Sequence, residues 1–378
     1  MSSDRDDSHV QLSWKTRWVL RRNRILGSAA FQNWAARTPI FRMVARRKAA
    51  QQFDLIAGFV YTQILYVYVQ TGLIGYLREG PHGAGDIAAF AKLTGEATDR
   101  ILRAGAALDI VESPQAGLWT LGQTGAELSA NDGAMAMIRH HQLLYRDMAD
   151  PIALLGQQGG ESSSLSQFWT YASKSEVGAD DSQPYSDLMA ATQPMIWQQI
   201  LPKYDFSRHR KMLDIGGGSG AFAEAVGQIA PRLELALFDL PDVVPLAKSR
   251  FAATAMDHRV VIHAGSFTQD PIPRGHDLIT LIRILHDHDD SVVNGLLPKI
   301  YAALPSGGRL LIVEPMAETK RAEPMGDGYF GLYLWAMGSG RPRSVIENRQ
   351  MLEKARFSAI REIGTDLPII AKALVAIK

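Results

Sequence analysis

Cysteine is absent from the 378 residues. That excludes disulfides, cysteine-ligated zinc, iron–sulfur clusters and a cysteine nucleophile. Acidic residues are absent from Val10 to Phe53. Charge of either sign is absent from Leu55 to Leu77, a stretch long enough to span a bilayer. Thr62, Gln63, Gln70, Thr71, Gly72 and Gly75 interrupt that stretch, and its tyrosines sit in the middle rather than at the ends. A buried helix at a subunit interface is therefore expected. A secretory signal is also lacking, because Met1 to Ser8 is acidic and has no apolar segment. With the missing cysteines, this fits a cytoplasmic location. A large net charge is missing too. The formal charge is +1, so the whole molecule is no obvious partner for nucleic acid or another polyanion. No internal repeat stands out.

What is present suits a two-domain globular chain with ample core, since 46% of its residues are hydrophobic and 21% charged. The acid-free stretch carries Lys15, Arg17, Arg21, Arg22, Arg24, Arg37, Arg42, Arg46, Arg47 and Lys48, with Trp14, Trp18, Phe31, Trp34 and Phe41 interleaved. Such an arm suits either a membrane interface or packing on a second subunit. Leu55 to Leu128 has the order of a winged-helix unit: a long apolar helix, a break at Gly80-Pro81-His82-Gly83, helices over Ala84–Leu93 and Glu96–Leu108, and two short strands, Asp109–Glu112 and Leu118–Leu121. The second helix sets Glu96 and Asp99 against Arg100 and Arg103. A helix that reads a DNA groove needs a basic face, so dimerisation is the expected role. Gly156 to Ser166 reads as a loop. Beyond it, Phe168, Trp169, Tyr171, Tyr185, Met189, Met195 and Trp197 suit a core or an apolar ligand.

From Lys211 the chain alternates strands with helices, the pattern of an α/β, doubly wound sheet that binds ligands at the strands' carboxyl ends. The strand-like runs are Met212–Ile215, Glu234–Phe238, Val260–Ala264, Leu278–Ile284 and Leu310–Val313. After the first run comes Asp214-Ile215-Gly216-Gly217-Gly218-Ser219-Gly220, then a helical run from Ala221. Glycines let backbone approach a polar ligand, and the helix start offers free N–H groups. The letters fit a dinucleotide such as NAD and also S-adenosylmethionine (SAM). Asp239, at the end of the second strand, can take the ribose hydroxyls of either.

The residues that follow distinguish these cofactors. Phe238-Asp239-Leu240-Pro241, His263-Ala264-Gly265-Ser266-Phe267, Arg283-Ile284-Leu285-His286-Asp287-His288-Asp289-Asp290, Val313-Glu314-Pro315 and Gly340-Arg341-Pro342-Arg343-Ser344 occur in that order. The series resembles the SAM-dependent small-molecule O-methyltransferases, which join a Rossmann-like methyltransferase domain to an N-terminal, mainly helical winged-helix dimerisation domain. The resemblance implies an arm over residues 1–52, a dimerisation domain over 53–145 and a methyltransferase domain over 146–378. It implies a homodimer. It places Asp214, Gly216, Gly218, Asp239, Leu240, Gly265, Ser266, Phe267 and Arg283 around SAM. Ser266 stands where the family has an acid, and Arg283 where a lysine is usual.

The resemblance also makes His286 the catalytic base and Glu314 one of two acids that flank it. The second acid would fall on Pro342, which cannot serve, leaving Asp287 or Glu347 to compensate. The chemistry agrees with this assignment: methyl transfer to a hydroxyl is an in-line displacement helped by a base near the oxygen. The run His286 to Asp290 is not expected to hold a metal, since consecutive side chains rarely converge on one ion. The arm, with Trp34-Ala35-Ala36-Arg37 and Ala45-Arg46-Arg47, is similar to one branch, the demethylspheroidene (hydroxyneurosporene) O-methyltransferases of phototrophic bacteria. That branch implies methylation of the tertiary hydroxyl of an acyclic hydroxycarotenoid, an apolar acceptor, with peripheral contact to the photosynthetic membrane.

Overall fold

The structure is a computed structural model that describes residues 12–156, 163–173, 188–189 and 191–378. Met1–Ser8, Tyr185 and part of the loop over 156–166 lie outside the described residues, as does the side chain of Tyr171.

The acid-free stretch is helical. Helix α1 (Trp14–Leu26) starts at Ser13, whose hydroxyl accepts the Thr16 N–H at 3.1 Å. Helix α2 (Ala29–Arg37) starts at Ser28. Helix α3 (Pro39–Gln70) has proline in its first turn, where no N–H is needed. The chain turns at Thr71–Gly72 into α4 (Leu73–Arg78). The single helix expected over Leu55–Leu77 is thus corrected. Two helices share it, and Leu55, Ile56, Phe59 and Val60 are exposed within this chain. Burial begins near Tyr68 because only the last turns of α3 reach the core formed with Leu73, Ile74, Leu77, Ile87 and Leu102.

Helices α5 (Ala84–Ala91) and α6 (Gly95–Ala107) follow as a pair, then the hairpin of β2 (Val111–Gln115) and β3 (Leu118–Leu121). The short β1 (His82–Gly83), unforeseen from sequence, adds to β3 and gives the order β1-β3-β2. Arg100 pairs with Glu96 at 2.8 Å and Arg103 with Asp99 at 3.0 Å. These exposed cations are partly neutralised by their own helix, as the i, i+4 spacing dictates. Helices α7 (Gln123–Ser129) and α8 (Asp132–Asp147) lead to the second half of the chain. Residues 164–166, expected in a loop, begin a helix, Ser164–Ser173, because Asp147 accepts the N–H groups of Ser164 and Leu165 at 2.7 and 2.8 Å.

The second half is built on a seven-stranded sheet: β4 (Lys211–Ile215), β5 (Glu234–Asp239), β6 (Val260–Ala264), β7 (Leu278–Ile282), β8 (Arg309–Glu314), β9 (Ser358–Ile363) and β10 (Lys372–Ile377), in the order β6-β5-β4-β7-β8-β10-β9. The first five are mutually parallel, whereas β10 runs antiparallel to β8 and β9. The α/β doubly wound, Rossmann-like class read from the sequence is observed. The sequence reading stopped at β8 and missed β9 and β10. The strand expected over Leu278–Ile284 ends at Ile282, because Arg283 turns to φ 56°. Separate apolar cores lie on the two sheet faces, one around Met212, Phe222 and Leu237, the other around Leu213, Ile279 and Leu297. Strand order reverses between β4 and β7, and a crevice opens at such a switch point.

Candidate active site

Gly216, Gly218 and Gly220 follow β4 with φ of 67°, 56° and 79°. Side chains with a Cβ resist these left-handed values, so the loop requires glycine. Asp239 ends β5 and holds the loop open. Its Oδ2 accepts the Gly218 N–H and its Oδ1 the Leu240 N–H, both at 2.7 Å. A carboxylate has about four acceptor sites, so two remain for a ligand's hydroxyls. Burial raises the Asp239 carboxyl above its usual range, and the two backbone bonds oppose that shift.

A cavity of about 510 Å³ lies beside this loop. Gly216, Gly218, Asp239, Leu240, Gly265, Ser266, Phe267 and Arg283, all expected around a cofactor, line it together. Phe267 meets His288 edge-on at 5.1 Å. Ser266 has no acid of its own to offer; its hydroxyl pairs with Thr268, and its N–H donates to Asp270 at 2.7 Å. Arg283 donates through Nη1 to the Thr192 hydroxyl at 2.9 Å, and its buried Nε has no partner among the described residues. Asp214 does not line the cavity. It is buried behind the loop and accepts the Thr280 hydroxyl at 2.6 Å. Burial lifts its carboxyl to about 7, the Thr280 bond pulling down and the Asp239 charge pushing up.

His286 sits in the 3₁₀ turn Leu285–Asp287 with its side chain 2% exposed. Its Nδ1 is 3.4 Å from Glu314 Oε2, and its Nε2 is 3.0 Å from Asp287 Oδ1. Neither contact has hydrogen-bond angles. Glu314, at the end of β8, is fully buried and accepts the His286 backbone N–H at 3.2 Å. Two carboxylates therefore bracket the imidazole despite Pro342. Asp287 stands at the second, while Glu347 is occupied elsewhere, capping the helix Val345–Lys354 through Ser344 and bonding Arg341 at 2.7 Å. Burial alone would pull the His286 pKa down; Asp287 and Glu314 outweigh it and lift it to about 9. His286 and Glu314 do not line the cavity; Asp287 does, between the imidazole and the open space.

Several residues escaped the sequence reading. Tyr329, Phe330 and Tyr333 form an aromatic wall, with Phe330 at 5.9 Å from the His286 ring. His141 bonds the Tyr329 hydroxyl at 2.7 Å and His140 the Tyr333 hydroxyl at 2.8 Å. Burial, then His141, lowers the His140 pKa to about 4, so it is neutral there. Of the aromatic and methionine set singled out after the loop, Trp169 and Met189 reach the cavity. Trp197 packs instead beside the core under the sheet.

Comparison with known proteins agrees with this geometry. Residues 145–358 match the family model described as an O-methyltransferase domain. The chain is 38% identical to the demethylspheroidene O-methyltransferase of Cereibacter sphaeroides, over 94% of each chain. It is 40% identical to that of Rhodobacter capsulatus, over 90% of this chain and 85% of the relative.

The chain belongs to the O-methyltransferase family.

Among solved structures, the mitomycin 7-O-methyltransferase superposes with a TM-score of 0.73 at 22% identity, covering 89% of this chain and all of the other. Human N-acetylserotonin methyltransferase, solved with SAM, gives 0.72 at 22% identity, covering 88% of this chain and 97% of the other. These share the fold.

In this methyltransferase the His286 turn is clamped by Arg343, which is fully buried. Its guanidinium donates to Leu285 O at 2.6 Å, His288 O at 2.7 Å and Asp290 Oδ1 at 2.7 and 2.9 Å. Arg343→Met removes these donors and strands the buried Leu285 carbonyl and the half-buried His288 carbonyl. Buried unsatisfied groups cost roughly 1–3 kcal/mol each, so chemical denaturation should show a loss of about 3 kcal/mol. Unchanged stability would mean that the turn holds itself.

Proposed function

We propose that this enzyme transfers a methyl group from SAM to the tertiary hydroxyl of an acyclic hydroxycarotenoid, of the kind named by its demethylspheroidene-methylating relatives. The observation that carries the reading is that Asp287, 3.0 Å from the buried His286 imidazole, stands at the wall of the cavity that the glycine loop and Asp239 enclose.

The residues fit SAM. Free acceptor sites on Asp239 suit ribose hydroxyls, and the unpartnered Arg283 Nε suits the ligand's carboxylate. Phe267 supplies a ring for the adenine end. When bound, SAM supplies an electrophilic methyl on a sulfonium. His286 takes the acceptor's proton at Nε2 in exchange for its contact with Asp287, and Glu314, 3.4 Å from Nδ1, steadies the imidazolium. Trp169, Met189, Met337 and the Phe330 wall offer apolar surface to a polyene end and keep water away.

His286 must be neutral to act, yet Asp287 and Glu314 keep it charged at neutral pH in the free enzyme. A cation in the cavity favours release of that proton. The kcat/KM profile should therefore rise with pH toward about 9. Asp287→Asn removes the strongest opposing charge and leaves Glu314 alone against burial, so the rising limb should move to lower pH. A limb that stays in place would show that Asp287 does not hold the proton on His286.

The division into an arm (1–52), a winged-helix dimerisation domain (53–145) and a methyltransferase domain (146–378) completes the proposal. The enzyme works as a homodimer, in peripheral contact with the membrane that holds its acceptor. The deciding experiment is mass spectrometry of an acyclic hydroxycarotenoid after incubation with enzyme and SAM. A methylene mass increase is expected. Methylation of phenols with none of the carotenoid would overturn the acceptor.

A further inference from the structure

Every residue of α1 is exposed, including Trp14 at 70% and Trp18 at 57%. A helix of 13 residues is marginal in water without a packed face, so something must cover it. Trp14, Trp18 and Ile25 fall at i, i+4 and i+11 on one side of the helix. Arg17 and Arg21 border that stripe on one side, Lys15 and Arg22 on the other. The cations lean on the rings: Arg22 lies 5.4 Å from Trp18 and Lys15 6.0 Å from Trp14. Phe31, Trp34 and Phe41 meet as tilted ring pairs at 5.7 and 5.1 Å and tie α2 to the start of α3. Arg37, Arg42, Arg46, Arg47 and Lys48 remain exposed on this hairpin.

Charge decides between occupants. A second copy laid arm to arm on this part would oppose cations to cations, with no acid from Val10 to Phe53 to relieve them. The next stretch of α3 differs: Phe53, Leu55, Ile56, Phe59 and Val60 are exposed, and only Asp54 among residues 53–60 is charged. That face can meet its own copy without such a conflict.

We infer that α1 lies flat on an anionic lipid surface, its Trp14–Trp18–Ile25 stripe in the headgroup boundary and its flanking cations on lipid phosphates. The inference rests on the membrane contact proposed above and assigns it a face and a lipid chemistry. Tryptophan suits that boundary, with an apolar body and a polar N–H. Among the described residues no helix is long and apolar enough to cross a membrane, so attachment is at the surface.

The test is flotation of the full chain with vesicles of phosphatidylcholine alone or mixed with phosphatidylglycerol. It uses neither acceptor nor SAM, so its result is separate from whether the chain methylates a carotenoid. The full chain should float with the anionic vesicles at low salt and be released at 1 M salt, where the screening length falls to about 3 Å. Each cation near such a surface contributes roughly fivefold in partitioning, so the Arg17→Gln, Arg21→Gln, Arg22→Gln, Arg24→Gln variant should bind several-hundredfold more weakly. Trp14→Ser with Trp18→Ser should also lose flotation while keeping the parent's mass in solution. The inference is overturned by a full chain that stays with the pellet, by variants that float like the parent, or by a tryptophan variant whose mass falls. The last result would mean that a second copy covers the stripe.

Discussion

Replacing His286 by alanine should lower turnover by roughly 10²- to 10⁴-fold, the usual worth of a positioned general base. A tertiary alcohol is weakly acidic, which places the effect toward the upper end. SAM affinity should barely change, because the glycine loop, Asp239 and Arg283 hold their positions without touching the imidazole. The variant leaves Asp287 and Glu314 with no cation between them, so stability must be measured alongside rate. The sign of that term follows from the raised pKa. The stabilisation from His286 is complete below its unfolded value near 6.5 and is lost as pH rises through about 9. The His286→Ala variant should therefore fall furthest behind the parent in acid and close the gap in alkali. Initial rates, calorimetry with SAM and melting at several pH values settle it. Near-normal turnover would remove His286 from the proton path.

Gly340→Ala should be nearly as damaging although the residue does not line the cavity. Gly340 has φ 80°, and a Cβ there would overlap the His286 carbonyl oxygen and stand 2.6 Å from the Asp287 carbonyl carbon. Both obstacles are backbone, so neither can rotate aside. The Gly340 N–H is bound to Asp289 at 2.9 Å and the Ser339 hydroxyl to Asp287 O at 3.1 Å, which pins the approach from both sides. The His286 turn has to move. A shift of about 1 Å at a reacting group can cost 10²-fold in rate. An approximately hundredfold fall in turnover is expected, with SAM affinity retained. Gly307→Ala is the control. Its φ is 77° with open space around it, so it bears the conformational strain alone, about 1 kcal/mol, and should leave turnover intact. Equal rates for the two variants would show that the close approach does not position His286.

The cofactor side of the site was readable because it is local. A strand, four glycines, a helix and an acid at the end of the next strand follow one another within Lys211 to Asp239. Backbone geometry needs no distant partner to make a cradle of them. Asp214 shows the limit: its letters suit a cofactor contact, but its carboxylate turns back to Thr280, on a strand 66 residues away. The aromatic wall beside His286 was hardly readable. Tyr329 and Tyr333 meet His141 and His140 across more than 180 residues, and no spacing rule joins them. β10 was missed because it follows β9 with no helix between them and runs antiparallel to both β8 and β9.

By itself the sequence determined the doubly wound sheet, the glycine cradle and the two segments, basic and uncharged, that lead into α4. Periodicity, glycine placement and charge are properties of neighbouring residues. Only the tertiary structure decided which carboxylate stands at the second nitrogen of His286, that Arg343 clamps its turn, and that Gly340 leaves no room for a side chain. Asp287 is the residue next to His286, and the turn of the chain aims it; the other two facts depend on backbone segments more than 50 residues apart being packed to within hydrogen-bond distance, which no local pattern encodes.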